Sequence, residues 1–241
     1  MAHSPSHRGP APEDERQFAA GQLPAMRSAA ADLCWLLDRG YALRSALELT
    51  GNRYSLTARQ RTAVSRSVCS REDAGQRQRR SVGPGQLAGQ PLWIDGYNVL
   101  TIVESALGGG VVLLCRDGCC RDIAGIHRRY RQVNETIPAL ELVGRAAKEL
   151  GASGCCWWLD KPISNSGRLK KLILETASAN GWNMEVELTF SPDHVLAQTD
   201  NIIATSDGIV LDRCRRWLNF SHWIIEQHVP QARLVDLFEA G

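Results

Sequence analysis

Two hydrophobic patterns divide the chain near residue 90. Before this point, apolar residues recur at three- and four-residue spacings, which is typical of amphipathic helices. After it, short apolar runs alternate with helical patterns, which predicts an α/β fold with a largely parallel central sheet. The helical positions include Leu23, Met26, Ala30, Leu33, Cys34 and Leu37, then Ala42, Leu43, Ala46, Leu47 and Leu49.

The apolar runs and the helical patterns between them give individual elements. The predicted strands are Leu92–Ile94, Val111–Cys115, Cys155–Leu159, Met184–Leu188 and Ile202–Thr205, with an edge strand at Arg233–Leu237. The predicted helices of this part are Ile137–Leu150, Arg168–Ala179 and Cys214–Gln227.

Turn-forming and polar segments divide the chain into four parts. Residues 1–14 are polar and contain proline, so we expect a disordered tail. Residues 15–72 are expected to form a small all-helical domain, a possible nucleic-acid-binding module. Residues 73–90 combine arginines with glycine and proline, which is typical of a basic linker. Residues 91–241 are expected to form the α/β domain.

Composition excludes several classes of protein. Of 241 residues, 44% are hydrophobic and 22% charged, as in ordinary globular proteins. Since no apolar run reaches roughly 18 residues, we expect no membrane-spanning helix and no membrane partner. The N-terminus lacks the apolar core of a secretory signal, so we expect a cytoplasmic protein. In that setting the eight cysteines are expected to be reduced thiols rather than disulfides or zinc ligands.

Charge is distributed unevenly between the two parts of the chain. Residues 1–90 contain 13 arginines and no lysine against 8 acidic residues, whereas residues 91–241 contain 15 basic and 18 acidic residues. A basic part beside a mildly acidic part is typical of proteins that handle nucleic acids. A solvated, arginine-rich helix explains the same charges equally well.

Aspartates follow the apolar runs at the carboxyl ends of several predicted strands. They are Asp95, Asp117, Asp160 and Asp207, and Asp193 opens a predicted helix. Each one alone is typical of a turn or a helix cap. Because the carboxyl ends of parallel strands meet at one edge, we expect these side chains to converge. Clustered carboxylates raise one another's pKa unless a cation lies among them, which favours a site for Mg²⁺ or Mn²⁺.

Four short motifs occur in a recognisable order. They are Asp-Gly-Tyr-Asn at 95–98, an apolar strand ending in Asp160, Pro-Asp-His-Val-Leu at 192–196, and Ile-Ala-Thr-Ser-Asp at 203–207. This arrangement resembles the PIN-like nuclease superfamily, and within it the NYN type, over residues of about 91–212. The whole chain also resembles an uncharacterised prokaryotic family, a domain of unknown function with a helical N-terminal part. That second resemblance implies no activity.

The PIN-like resemblance implies a three-layer fold and a role for each matching residue. Asp95 would be the central metal ligand. Asn98 would orient Asp95 or a water, Thr205 or Ser206 would fix the Asp207 loop, and the part played by Asp117 is left open. The catalytic and metal-binding set would be Asp95, Asp160, Asp193 and Asp207.

The chain also departs from the pattern of that superfamily. PIN domains often carry a second-site acid on the helix after the first strand, where this chain offers Glu104. Residues 108–130, which include Asp117 and Asp122, look like an insertion.

The implied reaction is metal-dependent hydrolysis of phosphodiester bonds in RNA, with RNA favoured over DNA. Consistent with this, neither a nucleophile–base motif nor a Walker loop is present in the sequence. Two alternatives remain open: a catalytically inactive PIN-like protein that binds RNA in a regulatory role, and a phosphohydrolase of small nucleotides. A homo-oligomer is possible.

Basic residues in three places are candidates for contact with nucleic acid. Tyr130 lies within the first group and offers a ring for stacking on an unpaired base. Each group is also explained as a solvated helix face. The groups are His127, Arg128, Arg129 and Arg131; Arg168, Lys170 and Lys171; and Arg213, Arg215 and Arg216.

Overall fold

Two β-sheets and their helices make up the molecule, in a computed structural model that describes residues 7–123 and 130–239. The strands are β1 (Ser81–Val82), β2 (Pro91–Asp95), β3 (Val111–Leu114), β4 (Cys120–Asp122), β5 (Gly154–Asp160), β6 (Met184–Thr189), β7 (Ile202–Ala204), β8 (Trp217–Leu218) and β9 (Arg233–Asp236). The larger sheet has the order β1-β8-β7-β2-β5-β6, and all of its neighbouring strands are parallel. The predicted α/β class with a parallel central sheet is therefore confirmed.

Up to residue 80 the described chain forms helices, and after residue 90 helices alternate with strands. They are α1 (Asp14–Gln17), α2 (Leu23–Leu37), α3 (Leu43–Arg53), α4 (Ala58–Ser67), α5 (Arg71–Arg80), α6 (Gly96–Leu107), α7 (Thr136–Glu149), α8 (Ser166–Asn180), α9 (Pro192–Gln198), α10 (Gly208–Leu211) and α11 (Phe220–His228). Among the described residues, no helix is long and apolar enough to cross a membrane.

Side chains of the central sheet alternate between two hydrophobic cores, because successive residues of a strand point to opposite faces. On β2, Leu92 and Ile94 enter the larger core, which α6, α7, α8 and α11 cover. Trp93 packs on the other face, where Ile203 and Trp217 lie against α9 and α10. Helices therefore lie on both faces of the parallel sheet, and the carboxyl ends of its strands stay open at one edge.

The second sheet joins the N-terminal helices to the rest of the molecule. Its order is β4-β3-β9, with β3 parallel to β9 and antiparallel to β4. Val111, Leu113 and Val235 pack with the buried residues of α2, α3 and α4. Val112, on the opposite face of β3, belongs to the core of the central sheet. The helical N-terminal part thus shares a hydrophobic core with strands from the second half of the chain.

Three segments differ from what the sequence led us to expect. Residues 73–90, expected to be a linker, include most of α5. Three of the four arginines of this helix occupy its last turn, where the helix dipole stabilises positive charge. The expected helix 214–227 begins only at Phe220, because Trp217 and Leu218 form β8 beside β7. Within the expected tail, Arg8 is held by hydrogen bonds to Glu104.

Candidate functional site

Asp95 closes β2 and is followed at once by α6. The turn requires glycine at position 96, because a Cβ there would lie 2.4 Å from Cδ2 of Leu159 and 3.1 Å from the carbonyl oxygen of Trp158. This close approach brings β2 and β5 together at their carboxyl ends, where β5 terminates in Asp160. The local sequence therefore places both carboxylates at the same sheet edge.

The carboxyl group of Asp95 is buried, with 9% of the residue exposed. Its Oδ2 accepts a hydrogen bond of 2.7 Å from the Thr205 hydroxyl. Burial raises the pKa of Asp95 to about 7; the Thr205 bond opposes the shift, and the charges of Asp207 and Asp193 add to it. Among the described residues, no basic side chain forms a salt bridge with Asp95.

Asn98 and Thr205 fix the loop that carries Asp207. The backbone N–H of Ser206 donates to Oδ1 of Asn98 at 2.7 Å, and the N–H of Asp207 donates to the Thr205 hydroxyl oxygen at 3.1 Å. Thr205 therefore bridges Asp95 and the Asp207 loop. Asn98 holds the loop with its side chain through Ser206, and its backbone hydrogen bond favours the charged form of Asp95.

Asp207 caps the short helix α10. Its Oδ1 accepts from the N–H groups of Ile209, at 2.7 Å, and Val210, at 3.4 Å. Within the described residues, Oδ2 receives no hydrogen bond. One oxygen of this half-buried carboxylate thus stabilises the helix and the other remains free to bind a ligand.

Asp160 and Asp193 complete the acidic face of the site. Partial burial raises the pKa of Asp160, and the charge of Asp193 adds to that shift. Partial burial also raises the pKa of Asp193, and the charge of Asp207 adds to that shift. Because the charge of Asp193 acts on Asp160 and the charge of Asp207 acts on Asp193, these carboxylates lie close to one another.

The site is a pocket of about 480 Å³, with Asp95, Asp160, Asp193 and Asp207 in its wall. The structure therefore brings the four predicted acids to one cavity. Among the described residues, however, no three His, Cys, Asp or Glu side chains are already grouped as they would be around one metal ion. The acids line a shared cavity without closing on a single centre.

Arginines that sequence reasoning did not single out line the same pocket. They are Arg66 from α4, Arg77 from α5 and Arg121 from β4. Nη1 of Arg66 donates to the carbonyl oxygen of Asp122 at 2.7 Å and approaches its Oδ1 at 3.3 Å. The excess of arginine before residue 90 indicated that basic side chains could reach the site. It did not identify which of these arginines line the pocket.

Asp117 lies in a different environment, because β3 belongs to the second sheet and not to the central one. Its carboxylate accepts hydrogen bonds of 2.6 Å from Arg77 and from Arg121. Burial alone would raise the pKa of Asp117, but the charges and hydrogen bonds of Arg121 and Arg77 outweigh burial and lower it. The expectation that this aspartate converges with the other strand-end acids is therefore corrected.

Arg77 and Arg121, which bind Asp117, also hold the loop and short helix around Asp207. Nε of Arg121 donates to the carbonyl oxygen of Ser206 at 2.7 Å, and Nε of Arg77 donates to Oδ1 of Asp212 at 2.7 Å. Asp117 consequently acts on the candidate site indirectly, by holding the two guanidinium groups.

Glu104 is fully buried in a separate polar cluster. It accepts 2.6 Å hydrogen bonds from the hydroxyl groups of Tyr130 and Thr136, and pairs with Arg8 at 2.8 Å. Glu104 is absent from the lining of the acidic pocket, so among the described residues it serves packing between α6, α7 and the N-terminal segment. Tyr130 is likewise buried rather than available for stacking.

The predicted nucleic-acid contacts divide into three groups. His127, Arg128 and Arg129 lie outside the described residues. Of the described candidates, Arg131, Arg168, Lys170 and Lys171 lie outside the wall of the acidic pocket. Arg213 is exposed beside it, in a second pocket that shares Asp160 and Asp193 with the first.

Comparison with known proteins gives a family but no activity. A family model described as "Protein of unknown function (DUF434)" matches residues 25–80, which contain most of α2 and all of α3, α4 and α5. The chain is 27% identical over 187 residues to "Uncharacterized protein MJ0935" of Methanocaldococcus jannaschii, and the match covers 78% of this chain and 89% of that protein. No solved structure gives a significant match. A model described as "Domain of unknown function (DUF5616)" matches residues 84–223, more than half of the chain and the whole aspartate set, so the protein belongs to this family.

Proposed function

We propose that this protein is a metal-dependent ribonuclease with a PIN-like, NYN-type catalytic domain. The observation that carries the proposal is a buried Asp95, with a pKa raised to about 7, in one pocket with Asp160, Asp193 and Asp207. The pocket opens at the carboxyl edge of a parallel sheet, which is the usual ligand-binding edge of such sheets. The order of the matching motifs along the chain supports the same assignment.

The donor set fits Mg²⁺ or Mn²⁺. All four acids offer hard carboxylate oxygens, which these ions prefer over nitrogen or sulfur. A buried carboxylate whose pKa is raised by neighbouring acids also gains most from a nearby cation. Asp95 and the free Oδ2 of Asp207 are the first candidates to hold the ion, since Thr205 fixes both residues.

The roles of the chain's own residues follow from their contacts. When bound, the metal ion supplies the positive charge that polarises a phosphodiester and favours loss of a proton from water. Thr205 holds the Asp95 carboxylate in place, and Asn98 holds the Asp207 loop at Ser206. Arg66, which also lines the pocket, offers a guanidinium to a phosphate oxygen.

The decisive experiment compares aspartate variants in an RNA-cleavage assay with Mn²⁺. Asp95→Asn and Asp207→Asn should each lower the cleavage rate by about 100-fold or more, in the range found when one stabilising group of a site is removed. Asparagine at 207 keeps an oxygen for the α10 cap, so the loss would not come from unfolding. Asp200→Asn, an exposed acid that pairs with Arg215, is the matched control and should retain full activity.

Equal cleavage by all four proteins would indicate a contaminating nuclease and reject the assignment. Added EDTA should abolish cleavage by the wild type. Inhibition by mononucleotides at concentrations near those of the RNA would instead favour a phosphohydrolase of small nucleotides, for which a pocket of about 480 Å³ has adequate room.

A second candidate is an inactive RNA-binding protein with the same fold. The observation that favours it is that, among the described residues, the carboxylates are not already grouped around one centre. RNA binding that EDTA leaves unchanged, without turnover in Mg²⁺ or Mn²⁺, would select this candidate.

A further inference from the structure

A second groove continues outward from the acidic pocket. Its volume is about 610 Å³, and Asp160 and Asp193 belong to the walls of both cavities. The groove is therefore continuous with the place where a phosphodiester would be cleaved. A strand that crosses the acidic pocket would lay its next nucleotide here.

Two large apolar side chains in this groove are unusually exposed. Phe190, just after β6, has 71% of its surface exposed, and Ile209, on α10, has 60%. Single exposed apolar residues are common on protein surfaces, but here an aromatic and an aliphatic residue line the same groove. They come from different parts of the fold, and both line the groove.

Basic groups accompany this apolar surface. The Lys161 ammonium lies 5.0 Å from the centre of the Phe190 ring, and the exposed Arg213 lies in the groove wall. An aromatic face next to cations is the combination that binds an unpaired base together with its phosphate. In a duplex, bases are stacked on one another, so the face of a base is available to Phe190 only in a single strand.

We propose that this groove binds an unpaired nucleotide of a single-stranded RNA, with its base stacked on Phe190 and its phosphate near Arg213. The inference rests on the proposed nuclease function, because it takes the acidic pocket as the position of the scissile phosphate. Stacking of an unpaired base in this groove makes the protein selective for single-stranded over double-stranded RNA. The sequence motifs did not point to Phe190, which the fold brings to the groove.

The test uses the full chain with the Asp207→Asn substitution, which slows cleavage during the measurement. Binding of single-stranded RNA carrying 2-aminopurine is followed by anisotropy and by quenching of the base fluorescence on stacking. A second substitution, Phe190→Leu, keeps an apolar side chain but removes the ring. It should raise Kd about tenfold and abolish the quenching, whereas Phe190→Trp should restore both.

Phe238→Leu is the matched control, because Phe238 is a partly exposed phenylalanine outside both cavities. It should leave Kd and quenching unchanged. Urea denaturation of each variant checks that the exposed position tolerates the change. An unchanged Kd for Phe190→Leu, or duplex RNA that binds as tightly as single-stranded RNA, would overturn the inference.

The outcomes for the groove and for the nuclease are distinguishable. If the protein without the Asp207 change cleaves RNA and Phe190→Leu cleaves with the same KM, the subsite is rejected and the nuclease stands. If that protein does not cleave but Phe190→Leu still loses binding and quenching, the nuclease is rejected and the groove remains as a site for single-stranded RNA.

Discussion

Asp95 and Asp117 are two buried aspartates with opposite electrostatic environments. Asp95 ends β2 and Asp117 follows β3, and neither has more than a tenth of its surface exposed. Asp117 lies between two guanidinium groups, and its pKa is lowered; Asp95 faces other acids and one hydroxyl group, and its pKa is raised to about 7. Burial alone would raise both. The fold thus supplies two guanidinium groups to Asp117, and among the described residues it pairs no basic side chain with Asp95.

The largest expected effect comes from removing the charge of Asp117. In Asp117→Asn, Arg121 and Arg77 lose a buried partner, so the free energy of unfolding should fall by about 3–5 kcal/mol. Urea denaturation at pH 7 measures this. Glu175→Gln, which breaks the exposed pair with Lys171, should cost about 0.5 kcal/mol or less. Equal losses of stability in the two variants would mean that Arg77 and Arg121 do not need the charge of Asp117 in order to remain buried.

The pH dependence of this loss has a definite sign. Because the folded pKa of Asp117 is lowered, its stabilising contribution is present above the unfolded pKa of about 3.9 and is lost as the pH falls through the folded value. The difference between wild type and Asp117→Asn should therefore shrink in acid.

Asp95 should show the opposite dependence on pH. Since its folded pKa of about 7 exceeds the unfolded value, the folded protein holds an extra proton between about pH 4 and 7, and stability falls as the pH rises through this window. At pH 8 without divalent ions, Asp95→Asn should be more stable than wild type by on the order of 2–4 kcal/mol.

Urea denaturation at pH 5 and pH 8 tests this difference, with Asp200→Asn as the exposed control. The gain should be small at pH 5, and Mn²⁺ should reduce it at pH 8 by stabilising only the wild type. Parallel stability curves for wild type and Asp95→Asn would show that the carboxyl group is not desolvated as the structure indicates.

The smallest effect concerns the side-chain hydrogen bond that, together with a backbone bond from Asn98, favours the charged form of Asp95. Thr205→Val removes the 2.7 Å bond to Oδ2 and should raise the pKa of Asp95 further. Loss of the hydroxyl should also lower stability at neutral pH by about 1–2 kcal/mol, because the Asp207 N–H loses its acceptor. Titration of the Asp95 carboxyl by NMR measures the pKa, and Thr205→Ser, which keeps the hydroxyl, should behave as wild type.

Local pattern was sufficient for much of the fold. The apolar runs that became β2, β5 and β6, and the periodic segments that became α7 and α8, were recognisable because each carries its signal within its own residues. The sheet to which a strand belongs depends on partners far away in the chain. The sequence therefore predicted the strand β3 but wrongly placed it in the central sheet. The two residues of β8 are too short for a pattern of their own and were read as helix.

The same distinction applies to the site. Residue type and position predicted that Asp95, Asp160, Asp193 and Asp207 belong together, and they line one pocket. No local rule distinguished Asp117 from them, because one of its cations, Arg77, lies forty positions earlier in the chain. Phe190 was missed because its exposure depends on what the folded chain leaves uncovered.

The hydrophobic core that joins α2, α3 and α4 to β3 and β9 makes each of the two matched family segments depend on the other for its packing. A gene shortened to residues 84–223 would encode a chain without β9, with the helix-facing side of β3 open to water. It would also lack Arg8 and Arg77, and so leave Glu104 and Asp117 without cations that they bind in the intact protein. Selection should oppose such a separation, and genes that carry the second segment should carry a helical segment ahead of it.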